Sequence, residues 1–133
     1  MRFFMVLIFL VSSKALACGY CVEDKVAATY DHAVVTGALA KHHHVVFFHV
    51  EGALPAGEAG RRLLERAASG TLGVDAGTVR VSEDNLTLSF AFDPVRAPLV
   101  GVQNRVEKKL AGKVSLMPLR VMERTADLKT VSR

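Results

Sequence analysis

Apolar residues recur along the chain with two different spacings, and each spacing predicts a different element. From Val22 to Val34 an apolar residue occurs every four positions, which is typical of one side of a helix. Residues 86–92 alternate apolar and polar side chains, which is typical of a strand with one buried face. The whole pattern, with Gly and Pro at the breaks, predicts helices at 22–39, 58–69 and 99–110 and strands at 43–50, 78–82, 86–92 and 114–122.

The order of these elements indicates the fold class. After the first helix the predicted order is strand, helix, strand, strand, helix, strand, which is the order of ferredoxin-like domains. In that fold the first and third strands are central, and the two strands predicted there are the most apolar. The last strand contains Pro118, which suits an edge position. We therefore predict an α+β fold: a ferredoxin-like βαββαβ antiparallel sheet with an additional N-terminal helix.

The first seventeen residues have the three parts of a secretory signal peptide. Arg2 supplies a positive charge, residues 3–11 are apolar, and small residues surround a cleavage site after Ala17. The apolar stretch is too short to cross a hydrocarbon layer about 30 Å thick. Cleavage would leave residues 18–133 as a single exported domain, periplasmic or secreted, whose N-terminal part (18–42) holds a C-x-x-C and a helix.

The charge balance argues against a nucleic-acid ligand. The chain has 17 Lys and Arg residues against 13 Asp and Glu residues, a net charge of +4. Loss of Arg2 and Lys14 with the signal leaves 15 of those 17 basic residues, and so a net charge of +2. Such a small excess predicts no contact with nucleic acid. Membrane contact is expected only if Cys18 is acylated, and the chain has Ala15 where lipoproteins usually have Leu.

The predicted architecture and the C-x-x-C together resemble the heavy-metal-associated domains of copper chaperones and transport ATPases. The resemblance covers residues 43–122 and implies architecture only. In those domains two cysteines lie between the first strand and the first helix, whereas the matching loop here, residues 51–57, has none. The stretch that begins CGYCVEDK also resembles the start of small exported bacterial proteins of unknown function, which implies location and fold but no activity.

Cys18 and Cys21 are the most specific chemical feature of the sequence. Two thiolates at this spacing suit a soft transition metal, Cu(I) or Zn(II), if they are reduced. A Cys18–Cys21 disulfide is the first alternative, because exported cysteine pairs normally oxidise. A thiol redox carrier is the second, because the dipole of a following helix would lower the pKa of both thiols.

Histidines cluster around the start of the first predicted strand. Imidazoles bind Zn, Cu and Ni, and on a regular strand His42 and His44 point to the same side. These two residues are therefore the candidate second metal site. The alternative is an exposed helix-to-strand connection whose imidazoles lie favourably near a helix C-terminus.

The first predicted strand is apolar on both of its faces. If the helices cover one face only, Val45, Phe47 and His49 form an open surface for a partner protein or a second copy of the chain. A covered core position for Phe47 is the alternative. Met117 and Met122 would point to opposite faces of a regular strand, which favours core packing over metal binding.

Support for catalysis is weak. The acidic residues fall in helix starts and loops with no pairing that their spacing demonstrates, and no serine has a positioned base in view. The sequence contains no glycine-rich phosphate loop. The predicted function is that of an exported, non-enzymatic protein that binds a soft transition metal. A structural or interaction protein and a thiol redox carrier are the alternatives.

Overall fold

The computed structural model describes residues 17–124, with side chains from Val22 onward. Residues 1–16 of the predicted signal peptide, the side chains of Cys18 and Cys21, and the tail from residue 125 lie outside that description. In chain order the elements are α1 (Ala17–Thr29), α2 (His32–Ala40), β1 (His44–Gly52), α3 (Glu58–Ser69), β2 (Arg80–Ser82), β3 (Thr87–Phe92), α4 (Leu99–Lys109) and β4 (Val114–Met122).

The four strands form one antiparallel sheet in the order β2-β3-β1-β4. β1 is central and pairs with β3 on one side and β4 on the other. Pro118 lies in β4, at the edge of the sheet, where a missing N–H is tolerated. The predicted α+β class with a four-stranded antiparallel sheet is confirmed.

The prediction of a single N-terminal helix over residues 22–39 is wrong, because two helices occupy this segment. Helical structure is interrupted at Tyr30 and Asp31, and Asp31 has an extended backbone (φ −128°, ψ 114°). The Asp31 carboxylate accepts hydrogen bonds from the backbone N–H groups of Ala33 (3.0 Å) and Val34 (3.3 Å). Such a cap satisfies donors that a helix start leaves free, so it fixes the beginning of α2.

One face of the sheet packs against α3 and α4. Phe48 of β1 and Phe90 of β3 are fully buried there, with ring centroids 5.7 Å apart. Leu64 of α3 and both Val102 and Val106 of α4 complete this core. The apolar sides of these strands and helices therefore face one another, as their predicted amphipathic patterns require.

α1 and α2 cover the opposite face. Val45 is 1% exposed and Phe47 is 0% exposed, and both pack with Val26 of α1 and Val35 of α2. The predicted open surface at Val45 and Phe47 is therefore wrong, and the covered core position is confirmed for Phe47. The physical reason is that β1 is apolar on both faces, so each face needs its own layer of helices.

β4 contains a bulge at Leu119, the residue that its register with β1 leaves unpaired. One extra residue reverses the alternation of side chains along a strand. Met117 and Met122 therefore share one face of the sheet, because they lie opposite His49 and Val45. The prediction that the two methionines point to opposite faces is wrong. Met122 packs against the core under α1 and α2, whereas Met117 is exposed.

Two ion pairs connect the segment around α1 to the two edges of the sheet. Arg120 of β4 donates hydrogen bonds to both carboxylate oxygens of Glu23. At the other end of the helix, Nε of Arg80 in β2 lies 3.2 Å from Oδ2 of Asp31. α1 thus crosses the sheet from β4 to β2, and Asp31 both caps α2 and pairs with the far edge strand.

Asp31→Asn is expected to lower the urea midpoint near neutral pH. Asn retains a cap acceptor but removes the charge that pairs with Arg80. The pKa of Asp31 lies below its ordinary value of 3.8, first because the Val34 N–H hydrogen-bonds to the carboxylate and next because Arg80 does. A lowered pKa contributes stability that is present above the unfolded-state value and is lost as the pH falls through the folded-state value.

The difference in urea midpoint between Asp31→Asn and the wild type should therefore become smaller as the pH falls below 3.8. Urea unfolding at about pH 7 and about pH 2 measures it. Asp84→Asn, in the exposed turn after β2, is the control and should leave the midpoint unchanged at neutral pH. A difference in urea midpoint of equal size at both pH values would contradict the assigned role of the Asp31 charge.

Candidate functional site

The candidate site is a cavity of about 490 Å³ at the end of β1. It lies between the loop 53–57, the first half of α3 and the β2–β3 turn, residues 83–86. Known small-molecule sites have volumes of about 300–1,000 Å³ and mostly apolar walls. The largest apolar side chains among the lining residues are those of Val50, Leu54, Pro55, Leu64, Val81 and Leu86.

Two glycines let the loop 53–57 pack tightly against its neighbours. Gly52 has a φ of 129°, and a Cβ atom there would lie 2.2 Å from the backbone oxygen of Lys113. In α3, a Cβ atom at Gly60 would lie 2.1 Å from the backbone oxygen of Pro55. Only glycine permits either approach, so these positions set the wall that the loop gives to the cavity.

Some charged side chains at the cavity are paired with an opposite charge and others are not. Arg61 donates hydrogen bonds to Glu58 (Nε to Oε2, 3.0 Å) and to Glu65 (Nη1 to Oε1, 2.5 Å), so its charge is neutralised within α3. The pKa of Glu58 is lowered, first by its hydrogen bond from Arg61 and also by Arg62. Glu83 has no hydrogen bond or ion pair within the described part of the chain, and it lies near Gly57 at the start of α3.

His49, predicted as part of a partner surface, shares the face of β1 that carries Val45 and Phe47, opposite the face on which Val50 packs. Its side chain is 20% exposed, and its Nε2 lies 3.2 Å from Oε1 of Glu51. Nδ1 of His49 is buried and has no hydrogen-bond partner among the described residues.

His42 and His44 do not share a strand face, which was the basis of the prediction that they form a second metal site. His42 lies in the turn before β1 with a φ of 62°, so strand alternation does not extend to it. Nε2 of His42 lies 3.1 Å from Nη1 of Arg124, and Nε2 of His44 lies 3.5 Å from Oε2 of Glu123. Within residues 22–124, no three His, Cys, Asp or Glu side chains are grouped to hold a metal ion.

A cluster around His43 was not predicted from the sequence. Nδ1 of His43 lies 2.7 Å from Oδ2 of Asp75, and its Nε2 lies 3.7 Å from Oδ2 of Asp93. The cluster joins the start of β1 to the segment before β2 and to the end of β3. Each ring nitrogen of His43 lies near a carboxylate, so these contacts connect the three segments. No local pattern could have indicated it, because the three residues are far apart in the chain.

The cysteines lie within a helix, whereas the sequence predicted them just before one. The backbone of Cys18 and Cys21 belongs to the start of α1, while their side chains are outside the description. The Glu23–Arg120 pair holds this end of α1 against β4. The metal, disulfide and redox hypotheses for the two cysteines stay predictions. None of the helices in the described part of the chain has the length and apolar character needed to cross a membrane.

No protein-family model matches the chain, and no curated protein matches it either. The similarities to heavy-metal-associated domains and to small exported proteins remain resemblances. The function must therefore be inferred from the residues and their geometry.

Gly60→Ala is expected to destabilise the protein by about 1–3 kcal/mol, because the new methyl group would push the Pro55 carbonyl away from α3. Gly37→Ala is the matched control, since Gly37 also lies within a helix and a Cβ atom there would have no neighbouring atom within 4 Å. That control should stabilise the protein by about 0.5–1 kcal/mol. Urea unfolding measures both. Equal effects of the two substitutions would show that the close contact with Pro55 does not exist.

Proposed function

We propose that the chain is an exported, non-enzymatic binding protein that holds a small ligand in the cavity at the end of β1. The cavity itself carries the proposal, because its volume of about 490 Å³ and its apolar walls match those of small-molecule sites. The signal-peptide pattern of residues 1–17 supports export. The loop and turn around the mouth supply the few polar groups that such sites use for orientation.

The chain topology supports a ferredoxin-like fold for residues 44–122. Beyond α2 the elements follow the βαββαβ order, and β1 and β3 are the central strands. α1 and α2 are additions to this arrangement. They close the face of the sheet that α3 and α4 leave open, and this closure favours the cavity over the sheet face as the place where a ligand binds.

The polar residues that line the cavity favour binding over catalysis. Ser82 carries the hydroxyl group among the lining residues, and its Oγ accepts a hydrogen bond from the backbone N–H of Asn85 (3.4 Å). A nucleophilic serine needs a base within about 2.6–3.2 Å of its oxygen. His49 is engaged with Glu51 instead. A protein that binds a ligand without transforming it needs no such pair.

Ala56→Trp is expected to abolish ligand binding at the cavity, because the indole ring would fill the mouth. The probe is a mixture of 2-phenylethylamine, 2-phenylethanol and phenylacetate, followed by amide NMR shifts of Gly57 and Leu86. Ala53→Trp is the matched control, since Ala53 lies in the same loop but does not line the cavity. The wild type and Ala53→Trp should respond alike. The absence of any response in the wild type would overturn the proposal.

A second function, binding of a soft transition metal such as Cu or Zn, is favoured by the position of the C-x-x-C in α1. Cys18 and Cys21 are three residues apart in a helix, which is close to one helical turn. The positive end of a helix dipole stabilises thiolates, the form that binds metals. A disulfide in an interaction protein and a thiol redox carrier are the competing proposals for the same cysteines.

Native mass spectrometry of the protein, isolated from its own compartment without reductant or chelator, separates these proposals. Metal binding predicts an adduct in the wild type that disappears in a Cys18→Ser, Cys21→Ser double variant. A mass lower by two hydrogen atoms with no metal would instead support the disulfide, and mixed disulfides formed with added oxidised glutathione would support the redox carrier. The same spectrum gives the first residue, any acyl group on Cys18 and the number of copies in the assembly.

A further inference from the structure

We infer that the cavity at the end of β1 takes uncharged, hydrocarbon-rich molecules and discriminates against ligands that carry a full charge of either sign. The inference rests on the proposed binding function and adds the chemical class of the ligand. Two features carry it: the side chains that face the cavity are mostly apolar, and the two charged side chains on its wall are compensated within the protein.

The strands turn their polar side chains away from the cavity. β1 and β2 both border it, and side chains alternate between the two faces of a sheet. Val50 belongs to the core under α3 and α4, and Val81 packs against that core, so both lie on the face that borders the cavity. The strand registers place His49, Glu51 and Ser82 on the opposite face, under α1 and α2. These three residues therefore border the cavity with their backbones.

The loop between β1 and α3, the helix itself and the β2–β3 turn extend the apolar wall. Leu54 and Pro55 come from the loop, and the buried Leu64 of α3 forms part of the floor. Leu86 lies at the mouth, where it is 46% exposed. Its carbonyl accepts a hydrogen bond from the Val50 N–H (2.8 Å), which fixes the exposed leucine beside the opening. A ligand that covers Leu86 would remove apolar surface from water.

The cationic side chain on the wall is already paired. Arg61 donates hydrogen bonds to Glu58 (Nε to Oε2, 3.0 Å) and to Glu65 (Nη1 to Oε1, 2.5 Å). Both glutamates belong to the same helix as Arg61, at the spacings of three and four residues that bring helical side chains together. A ligand carboxylate would have to displace one of them. Arg61 therefore gives the cavity no free positive charge.

The carboxylate on the wall faces the start of α3. A Cβ atom at Gly57, the residue before the helix, would lie 4.0 Å from Oε2 of Glu83. Gly57 provides no side-chain cap, so the first N–H groups of α3 carry a partial positive charge of about half a unit. This charge and that of Glu83 offset each other in part. A ligand ammonium would compete with the helix start for Glu83, and a ligand carboxylate would meet Glu83 at the helix start.

A charged ligand therefore finds no free partner of opposite charge, although it loses water when it enters the cavity. Burial of a charge is costly unless an opposite charge or hydrogen bonds compensate for the lost water, and burial of a hydroxyl group costs less. The apolar walls contribute equally to every ligand of the same shape. Among such ligands, the charge of the polar group decides the affinity.

The test uses three probes that share a phenyl group and a short carbon chain: 2-phenylethanol, 2-phenylethylamine and phenylacetate. Each is titrated separately into the mature protein near neutral pH, and the shifts of the Gly57 and Leu86 amides give the dissociation constants. We expect the alcohol to bind about tenfold more tightly than either charged probe, which corresponds to about 1.4 kcal/mol.

Glu83→Gln tests the compensation at the start of α3. The substitution removes the negative charge there, so the affinity for phenylacetate should rise several-fold while the affinity for 2-phenylethanol stays unchanged. Asp84→Asn, one residue further along the turn and outside the cavity wall, is the matched control. It should leave all three affinities unchanged.

Leu86→Asn tests the apolar wall. Asn tolerates a positive φ better than most residues, so the turn can keep the φ of 51° at this position while the wall loses an apolar side chain. All three probes should bind several-fold more weakly, because they share the phenyl group. Leu72→Asn is the matched control, since Leu72 is 60% exposed and does not line the cavity, and it should bind the probes as the wild type does.

The outcomes separate the ligand class from the binding function. Tightest binding by the amine or the carboxylate, or equal affinity for all three probes, overturns the inference while the binding function stands. An affinity for phenylacetate that Glu83→Gln leaves unchanged also overturns the inference, because Glu83 and the helix start would then not offset each other. If no probe shifts the cavity amides, or if Leu86→Asn binds all probes as the wild type does, both proposals fail.

Discussion

The structure depends on one constraint: the central strand β1 is apolar on both faces. Phe47 and Phe48 are neighbours in the chain, so they point to opposite faces of the sheet, and both are 0% exposed. Full burial of such a side chain contributes about 1.5–3 kcal/mol, which is a large part of a total stability of about 5–15 kcal/mol. A sheet covered on one side only would leave Phe47 in water. Two layers of helices are therefore required, and the chain supplies them from α1 and α2 on one side and α3 and α4 on the other.

The path of the N-terminal segment follows from that requirement. A straight helix from residue 22 to residue 39 would extend about 27 Å, whereas four strands about 4.8 Å apart span about 14 Å between the outer strand axes. The break at Asp31 turns the chain back over the sheet, so that α1 and α2 both contribute to the same core. Asp31 suits this position because its carboxylate has partners on both sides, the N–H groups of α2 and the guanidinium of Arg80. The four-residue apolar spacing continues through the break because both helices face the sheet.

Much of the fold can be predicted from local patterns, and the failures have a common physical cause. Strand alternation and helix spacing depend on neighbours in the chain, so the strands, α3 and α4 and the edge position of Pro118 are evident in the sequence. The break at Asp31 combines a local cap of α2 with an ion pair to Arg80 of a distant strand, and only the cap is a local feature. The bulge at Leu119 depends on pairing with β1. His42 and His44 were assigned to one face because a regular strand was assumed where the chain has a left-handed turn.

The cavity could not be predicted for the same reason, since its wall combines the end of β1, a loop, a helix and a turn. Because of this combination, different residues determine the stability of the fold and the selectivity of the cavity. Val50 and Leu64 belong to the core, so the floor of the cavity is fixed by packing that the fold needs in any case. Glu83 and Leu86 lie in exposed positions at the rim, where substitutions usually change stability by less than about 0.5 kcal/mol. Substitutions at the rim can therefore change what the cavity binds and still leave the two buried faces of β1 intact.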